Sequence, residues 1–178
     1  SLAGARARGA QILGEVLGYG VTCDSHHMTA PDTGASGAVR AIRAALADAG
    51  IPPEAIDYIN AHGTATPPND LMETRAIKAV FGARAGRIPV SSTKSMHGHT
   101  LGASGALEAV VSVLAIAEGF IPPTIHCETP DPECDLDYVT TGARPGAPGI
   151  VLSNSFAFGG NNTAVLFGRW RDGGRGRG

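Results

Sequence analysis

Residues 102–118 read GASGALEAVVSVLAIAE. Small and apolar side chains fill almost every position, among them Ala103, Ala106, Ala109, Val110, Val111, Val113, Leu114, Ala115 and Ile116. A surface helix keeps one polar face. This stretch has none, so it is expected to be a helix buried on nearly every side. The chain has 178 residues, 43% of them hydrophobic, which suits one globular domain with a sizeable core. In a lone layered domain of that size one helix layer faces water, and an apolar helix there would leave a sticky patch. The sequence therefore calls for a cover, either another chain or a further half. The apolar run from Leu107 to Ile116 is broken by Glu108 and reads as too short to span a bilayer, so no membrane is expected.

Working outward from this helix, strands alternate with helices. Gly9 to Gly20 carries Ile12, Leu13, Val16 and Leu17 and is expected to form a strand. Ala35 to Ala49 places Val39, Ile42, Ala45 and Leu46 at helical spacing, with Asp32 or Thr33 as cap and Gly50 as stop. Ile56 to Asn60 and Ile88 to Ser92 are short strands. Between them lies a helix capped by Asn69 or Asp70, with Leu71, Ile77, Val80 and Phe81 on its apolar side. Ile150 to Asn154 and Thr163 to Phe167 flank Gly159-Gly160 and form a hairpin. The order β-α-β-α-β-α-β-β predicts a layered α/β domain on a mixed, largely parallel sheet. One domain over 1–170 is expected, with 171–178 as a flexible, Arg- and Gly-rich tail.

A net charge of -2 and the lack of a basic run interleaved with aromatics argue against nucleic acid. Cys23, Cys127 and Cys134 are odd in number and form no C-x-x-C pair, so a reducing, cytoplasmic setting is the default. No signal-peptide pattern opens the chain.

Chemistry concentrates in three blocks. Asn60-Ala61-His62-Gly63-Thr64-Ala65-Thr66 follows a predicted strand, where α/β folds place ligands. Thr64 and Thr66 would offer hydroxyls from one extended face. Ser92 to Ala103 opens the apolar helix. It holds Lys94, His97 and His99, and the helix dipole beside His99 disfavours an imidazolium. Glu108 lies inside that helix, and a buried carboxylate needs a partner, for which Lys94 is the candidate. Asn154 to Asn162 sets Phe156 and Phe158 beside Gly159-Gly160, bulk on a hinge. Each block also has an ordinary reading: a structural His62, a solvated Lys94, a core role for Phe156 and Phe158, a loop role for His26-His27. His97 and His99 as a metal pair lack an acidic or cysteine ligand at suitable spacing, so no metal site is expected.

Taken together, INAHGTATPPND (59–70), SSTKSMHGHTLGASGALE (91–108), IPPTIH (121–126), CDLDYV (134–139) and SNSFAFGGNN (153–162) resemble the C-terminal half of the β-ketoacyl-acyl carrier protein synthases of fatty-acid and polyketide assembly. The likeness runs from about Gly9 to Phe167. It implies half of a thiolase fold, whose buried central helix packs on a second, similar half. It also implies an oligomer. It implies decarboxylative Claisen condensation of a malonyl-carrier protein with an acyl group held on a cysteine. By motif, His62 and His99 would serve the decarboxylation, and Lys94 and Glu108 would support them. Thr64 and Thr66 would grip the phosphopantetheine arm of the acyl carrier protein, and Phe156, Phe158 and Gly159 would line or gate the acyl pocket. No cofactor would be bound directly. The family's cysteine belongs to the missing N-terminal half or to a partner chain, and none of the three cysteines here replaces it. His97, Ala157 and Asn161 depart from the usual pattern. Two other readings stand beside this one. A non-catalytic partner resembling a chain-length factor would tend to lose the histidines. Another enzyme of the fold would differ around His99.

Overall fold

The computed structural model of the protein describes residues 1–171. Of the expected tail, only Arg171 falls among the described residues. The helices are α1 (Leu2–Ala7), α2 (Ser36–Ala49), α3 (Pro67–Phe81), α4 (Lys94–His97) and α5 (Ser104–Glu118). The strands are β1 (Glu15–Cys23), β2 (Tyr58–Asn60), β3 (Pro89–Ser91), β4 (Phe120–Ile121), β5 (Asp137–Tyr138), β6 (Arg144–Pro145), β7 (Ile150–Ala157) and β8 (Asn161–Gly168). Six of them form one sheet in the order β1-β8-β7-β2-β3-β5, and β4 pairs with β6 separately.

The sheet is mixed in a way that the alternation of elements understates. β7, β2, β3 and β5 run parallel, but the long pairs β1-β8 and β7-β8 are antiparallel. The hairpin of β7 and β8 forms as expected, around a turn at Phe158–Gly160.

Helix α2 buries Ala38, Ala41, Ile42, Ala45 and Leu46, spaced i, i+3, i+4, i+7, i+8. Gly50 ends it in the left-handed conformation, as expected. The N-cap position falls on Ala35 rather than on the expected Asp32 or Thr33, but the Asp32 carboxylate accepts from the Ser36 hydroxyl and from the Gly34 and Ser36 amides, which hold it below the usual carboxylate range. The helix lies almost on the backbone of β1. A Cβ at Gly20 would stand 2.1 Å from the Ala41 carbonyl oxygen, and one at Gly18 2.6 Å from the Ala49 nitrogen. These glycines therefore belong to the strand. β1 starts later than expected, at Glu15, and runs on to Cys23, while α1 occupies residues before it. Helix α3 also starts earlier than expected. Thr66 is its cap, and Pro67 takes the first turn, where its missing N–H costs nothing. Asn69 and Asp70 lie inside that turn.

The sheet separates two cores. On one face α2 and α3 enclose Ile42, Leu46, Ile59, Met72, Ile77 and Leu152. On the other, Tyr58, Ala115, Ile116, Val151 and Phe167 pack beneath α5. Adjacent residues of β7 thus feed opposite cores, as strand alternation requires.

Helix α5 corrects the expectation of burial on nearly every side. Its buried residues are Ser104, Glu108, Ser112, Ala115 and Ile116, while Leu107, Val110 and Leu114 are exposed, Val110 at 57%. The helix is inside-out: its polar stripe faces the protein and an apolar stripe faces outward. Tyr19 lies across from Val165, which packs on the core under α5, so Tyr19 shares this face, and it too is exposed. With the short turn before it, Leu101–Glu118 has the length and hydropathy of a membrane-crossing helix, against the shorter run read from the sequence. Here it packs on the sheet through a stripe that includes an ion-paired carboxylate.

Candidate active site

β7, β2 and β3 are neighbouring parallel strands. Each of the three sequence blocks leaves or crosses the carboxyl end of one of them: His62 after β2, Lys94 to His99 after β3, and Phe156 at the end of β7. Side chains distant in sequence therefore converge at one edge of the sheet. The His62 and His99 rings meet edge-on with centroids 5.4 Å apart, and Phe156 lies edge-on to His62 at 5.7 Å.

His62 is buried, and three causes keep its ring neutral: burial first, then the positive charge of Lys94, then His99. Together they lower its pKa to about 3. Its backbone is held by Glu73, whose two carboxylate oxygens accept from the amides of His62 and Gly63, each at 2.9 Å. The Asn154 amide donates to the same carboxylate at 3.1 Å. Burial raises the pKa of Glu73. Ser92, after β3, donates to the Gly63 carbonyl at 2.8 Å and ties the two loops together.

Lys94 and Glu108 form the expected pair, Nζ to Oε1, with both side chains out of solvent. Ser155 donates to the other Glu108 oxygen at 3.4 Å. Burial raises the Glu108 pKa against the opposing pull of Lys94. Three buried polar atoms near this floor lack a partner among the described residues: Asn60 Oδ1, His62 Nδ1 and Asn154 Oδ1. Among the described residues no group of His, Cys, Asp and Glu is gathered for a metal ion.

His99 Nδ1 lies 2.9 Å from the Ser104 hydroxyl and accepts from the Leu101 amide at 3.3 Å. His97 does not join the other two imidazoles. Its Nδ1 donates to the Gly98 carbonyl at 2.9 Å, and its Nε2 lies 3.1 Å from the Thr93 hydroxyl.

The Thr64 and Thr66 hydroxyls stand 2.9 Å apart, but not on an extended strand as expected. Ala65 between them is left-handed at φ +58°, which turns both threonines to one side. Thr64, Lys94 and His99 line a groove of about 810 Å³, whose far wall includes Cys127, Asp131 and Tyr138. Phe156 is buried in the core, whereas Phe158 is 71% exposed on the turn. Gly159 of that turn donates to the Met28 carbonyl at 2.7 Å. The His26-His27 loop plays the structural part expected of it, with His27 Nδ1 accepting from the Thr29 and Ala30 amides. Cys23, Cys127 and Cys134 are free thiols.

Sequence reasoning missed Glu73 and Ser104. Glu73 could have been found, since it falls on the buried stripe of α3 beside Met72, Ala76 and Ile77, and a carboxylate there needs donors.

Residues 13–128 match the β-ketoacyl synthase C-terminal domain. The chain belongs to that family. It is 56% identical over 170 residues to a 3-oxoacyl-[acyl-carrier-protein] synthase 2 of Synechocystis, covering 96% of this chain and 41% of that protein. Among solved structures it is similar to the ishigamide ketosynthase/chain length factor, at 48% identity and a TM-score of 0.91, covering 96% of this chain and 41% of that one. It is also similar to a type II polyketide ketosynthase bound to the hexaketide and in complex with its acyl-carrier protein. There the identity is 38% and the TM-score 0.93, covering 96% of this chain and 42% of that one. The chain thus spans about two fifths of the length of the curated relatives it matches, and corresponds to a C-terminal part of the ketosynthase fold.

Proposed function

We propose that this chain supplies the decarboxylation machinery of a β-ketoacyl-acyl carrier protein synthase and works together with an N-terminal part, or a partner chain, that carries the nucleophilic cysteine. The observation that carries this reading is the pair of imidazoles, 5.4 Å apart at the carboxyl ends of neighbouring parallel strands, with the ring of His62 held neutral.

Each of the two imidazoles carries a ring N–H that it can donate. Both would point at the thioester carbonyl of a malonyl group carried on phosphopantetheine. When carbon dioxide leaves, the electron pair of the broken C–C bond moves into an enolate, and the two donors stabilise the developing oxyanion. Each such donor contributes roughly 3 kcal/mol in typical sites. The enolate carbon then attacks the acyl thioester on the cysteine, forming the new C–C bond and releasing the thiolate. Lys94 supports the site electrostatically: it adds to the lowering of the His62 pKa, and Glu108 balances its buried charge. Thr64 and Thr66 bind the pantetheine arm at the mouth of the groove, with no other cofactor bound. Phe156 borders the acyl pocket from the core, and Phe158, on the turn with Gly159, gates it. The acyl carrier protein is the delivering partner, in fatty-acid or polyketide assembly, and the free thiols suit a reducing cytoplasm.

The test uses this chain joined to its N-terminal part. His62→Ala should lower malonyl decarboxylation at least ~100-fold while acyl loading onto the cysteine persists. Equal loss of both steps would refute the assignment. Loading that persists only on a separate, complete ketosynthase would point instead to a chain-length-factor-like role.

A further inference from the structure

His97 has no part in the chemistry above, and it is one of the positions at which the chain departs from the usual pattern. It ends α4, a single turn of four residues. One turn fixes several dihedrals for few backbone bonds and does not hold by itself. The His97 ring spans this turn from end to end. Its Nδ1 donates to the Gly98 carbonyl at 2.9 Å, just past the turn, and its Nε2 meets the Thr93 hydroxyl at 3.1 Å, just before it. A hydroxyl can donate to a neutral ring or accept from a charged one, so both contacts hold in either state. Thr93 is 1% exposed, and loss of the ring would leave its hydroxyl buried and unpaired. Gly98 has φ +76°, and a Cβ built on it would meet nothing within 4 Å. With open space on that side, its carbonyl is held by the ring and not by packing.

We propose that His97 is a positioning residue whose ring ties Thr93 to Gly98 and so fixes the one-turn helix that sets Lys94 and His99. The two anchors are their immediate neighbours, Thr93 before Lys94 and Gly98 before His99. Ser104 and the Leu101 amide hold the His99 ring, but they act on the side chain; the clamp acts on the backbone that carries it. The consequence for catalysis rests on the reading of Lys94 and His99 as parts of the decarboxylation site. A peptide free to turn at Gly98 would let the His99 ring drift from its place beside His62, and a displacement of ~1 Å costs rate.

The experiment uses the joined, two-part synthase and two independent readouts, amide hydrogen exchange across residues 92–99 and the kinetics of malonyl decarboxylation. His97→Ala should speed exchange of the Met96, His97 and Gly98 amides and lower kcat, each about tenfold, with acyl loading and KM for the malonyl carrier protein little changed. His97→Asn, whose side-chain amide can donate to the Gly98 carbonyl as Nδ1 does, should recover most of the loss. His97→Leu, similar in bulk but without a donor, should not. Adding Thr93→Val to His97→Ala should cost no more than His97→Ala alone, because the hydroxyl has already lost its partner. Unchanged exchange in His97→Ala overturns the proposal, and so does full recovery in His97→Leu. His99→Gln, measured alongside, tests the underlying reading separately. If His99→Gln decarboxylates like the wild type, that reading falls and exchange alone decides for or against the clamp. If His99→Gln is impaired and His97→Ala is not, the reading stands and the proposal falls.

Discussion

Lys94 reaches the interior beside Glu108, which is wholly buried. Removing one partner leaves an unpaired charge out of water. Glu108→Leu should therefore cost about 3–5 kcal/mol of stability, seen as a lower urea midpoint of the joined synthase. The double change Lys94→Met with Glu108→Leu should recover most of that stability but not the decarboxylation rate. If the single and double variants unfold alike, the pair contributes little. His62 gives the protein an acid-sensitive term. Its pKa is about 3 when folded and ordinarily 6.5, so the unfolded chain takes up a proton that the folded one refuses. That stability is fully present above the ordinary value, and it is lost by ~1.4 kcal/mol per pH unit as pH falls toward the folded one. His62→Gln should flatten the dependence of the urea midpoint between about pH 7 and pH 5, and parallel curves would count against it. At this scale His62, Lys94, His99 and Glu108 were legible because each sits in a dense polar motif beside an apolar strand or helix. Glu73 was overlooked although its place on the buried stripe of α3 marked it, and Ser104, a single hydroxyl among alanines, was not legible because only the fold gives it partners.

Helix α2 and strand β1 approach so closely that a methyl group cannot fit between them. Gly20→Ala would set its Cβ 2.1 Å from the Ala41 carbonyl. It should cost ~3 kcal/mol or more, or lower the soluble yield of the joined synthase, whereas Gly86→Ala, with open space around it, should do neither. The two glycines also explain why the C-terminal end of β1 was misread: propensity treats glycine as weakening a strand, while here it is what admits the neighbouring helix. The helix of residues 67–81 was misplaced by a similar preference, since Asn69 and Asp70 are good caps in isolation but Pro67 had already set the first turn. The hairpin, α2 and the strands carrying the histidines were readable because their apolar spacing and their glycine stops agreed. The short strands β4, β5 and β6 leave no such pattern in two residues each.

As a whole the molecule carries an uncovered apolar face, made of Tyr19 on the sheet and Leu107, Val110 and Leu114 on α5. Expressed by itself the chain should aggregate, and co-expression with the N-terminal part of the synthase should yield a soluble complex, read by gel filtration and native mass spectrometry. A well-behaved monomer with a cooperative melt would rule out the need for that cover. Val110→Asp should abolish the complex and leave the sheet and the helices α2 and α3 intact, because Val110 points away from them. The inside-out build of α5 also divides its residues between two histories. Ser104, Glu108 and Ser112 answer to neighbours within the chain and can change only in step with them. Leu107, Val110 and Leu114 answer to a surface that lies elsewhere, so across related synthases their substitutions should follow that surface and be silent about their own domain.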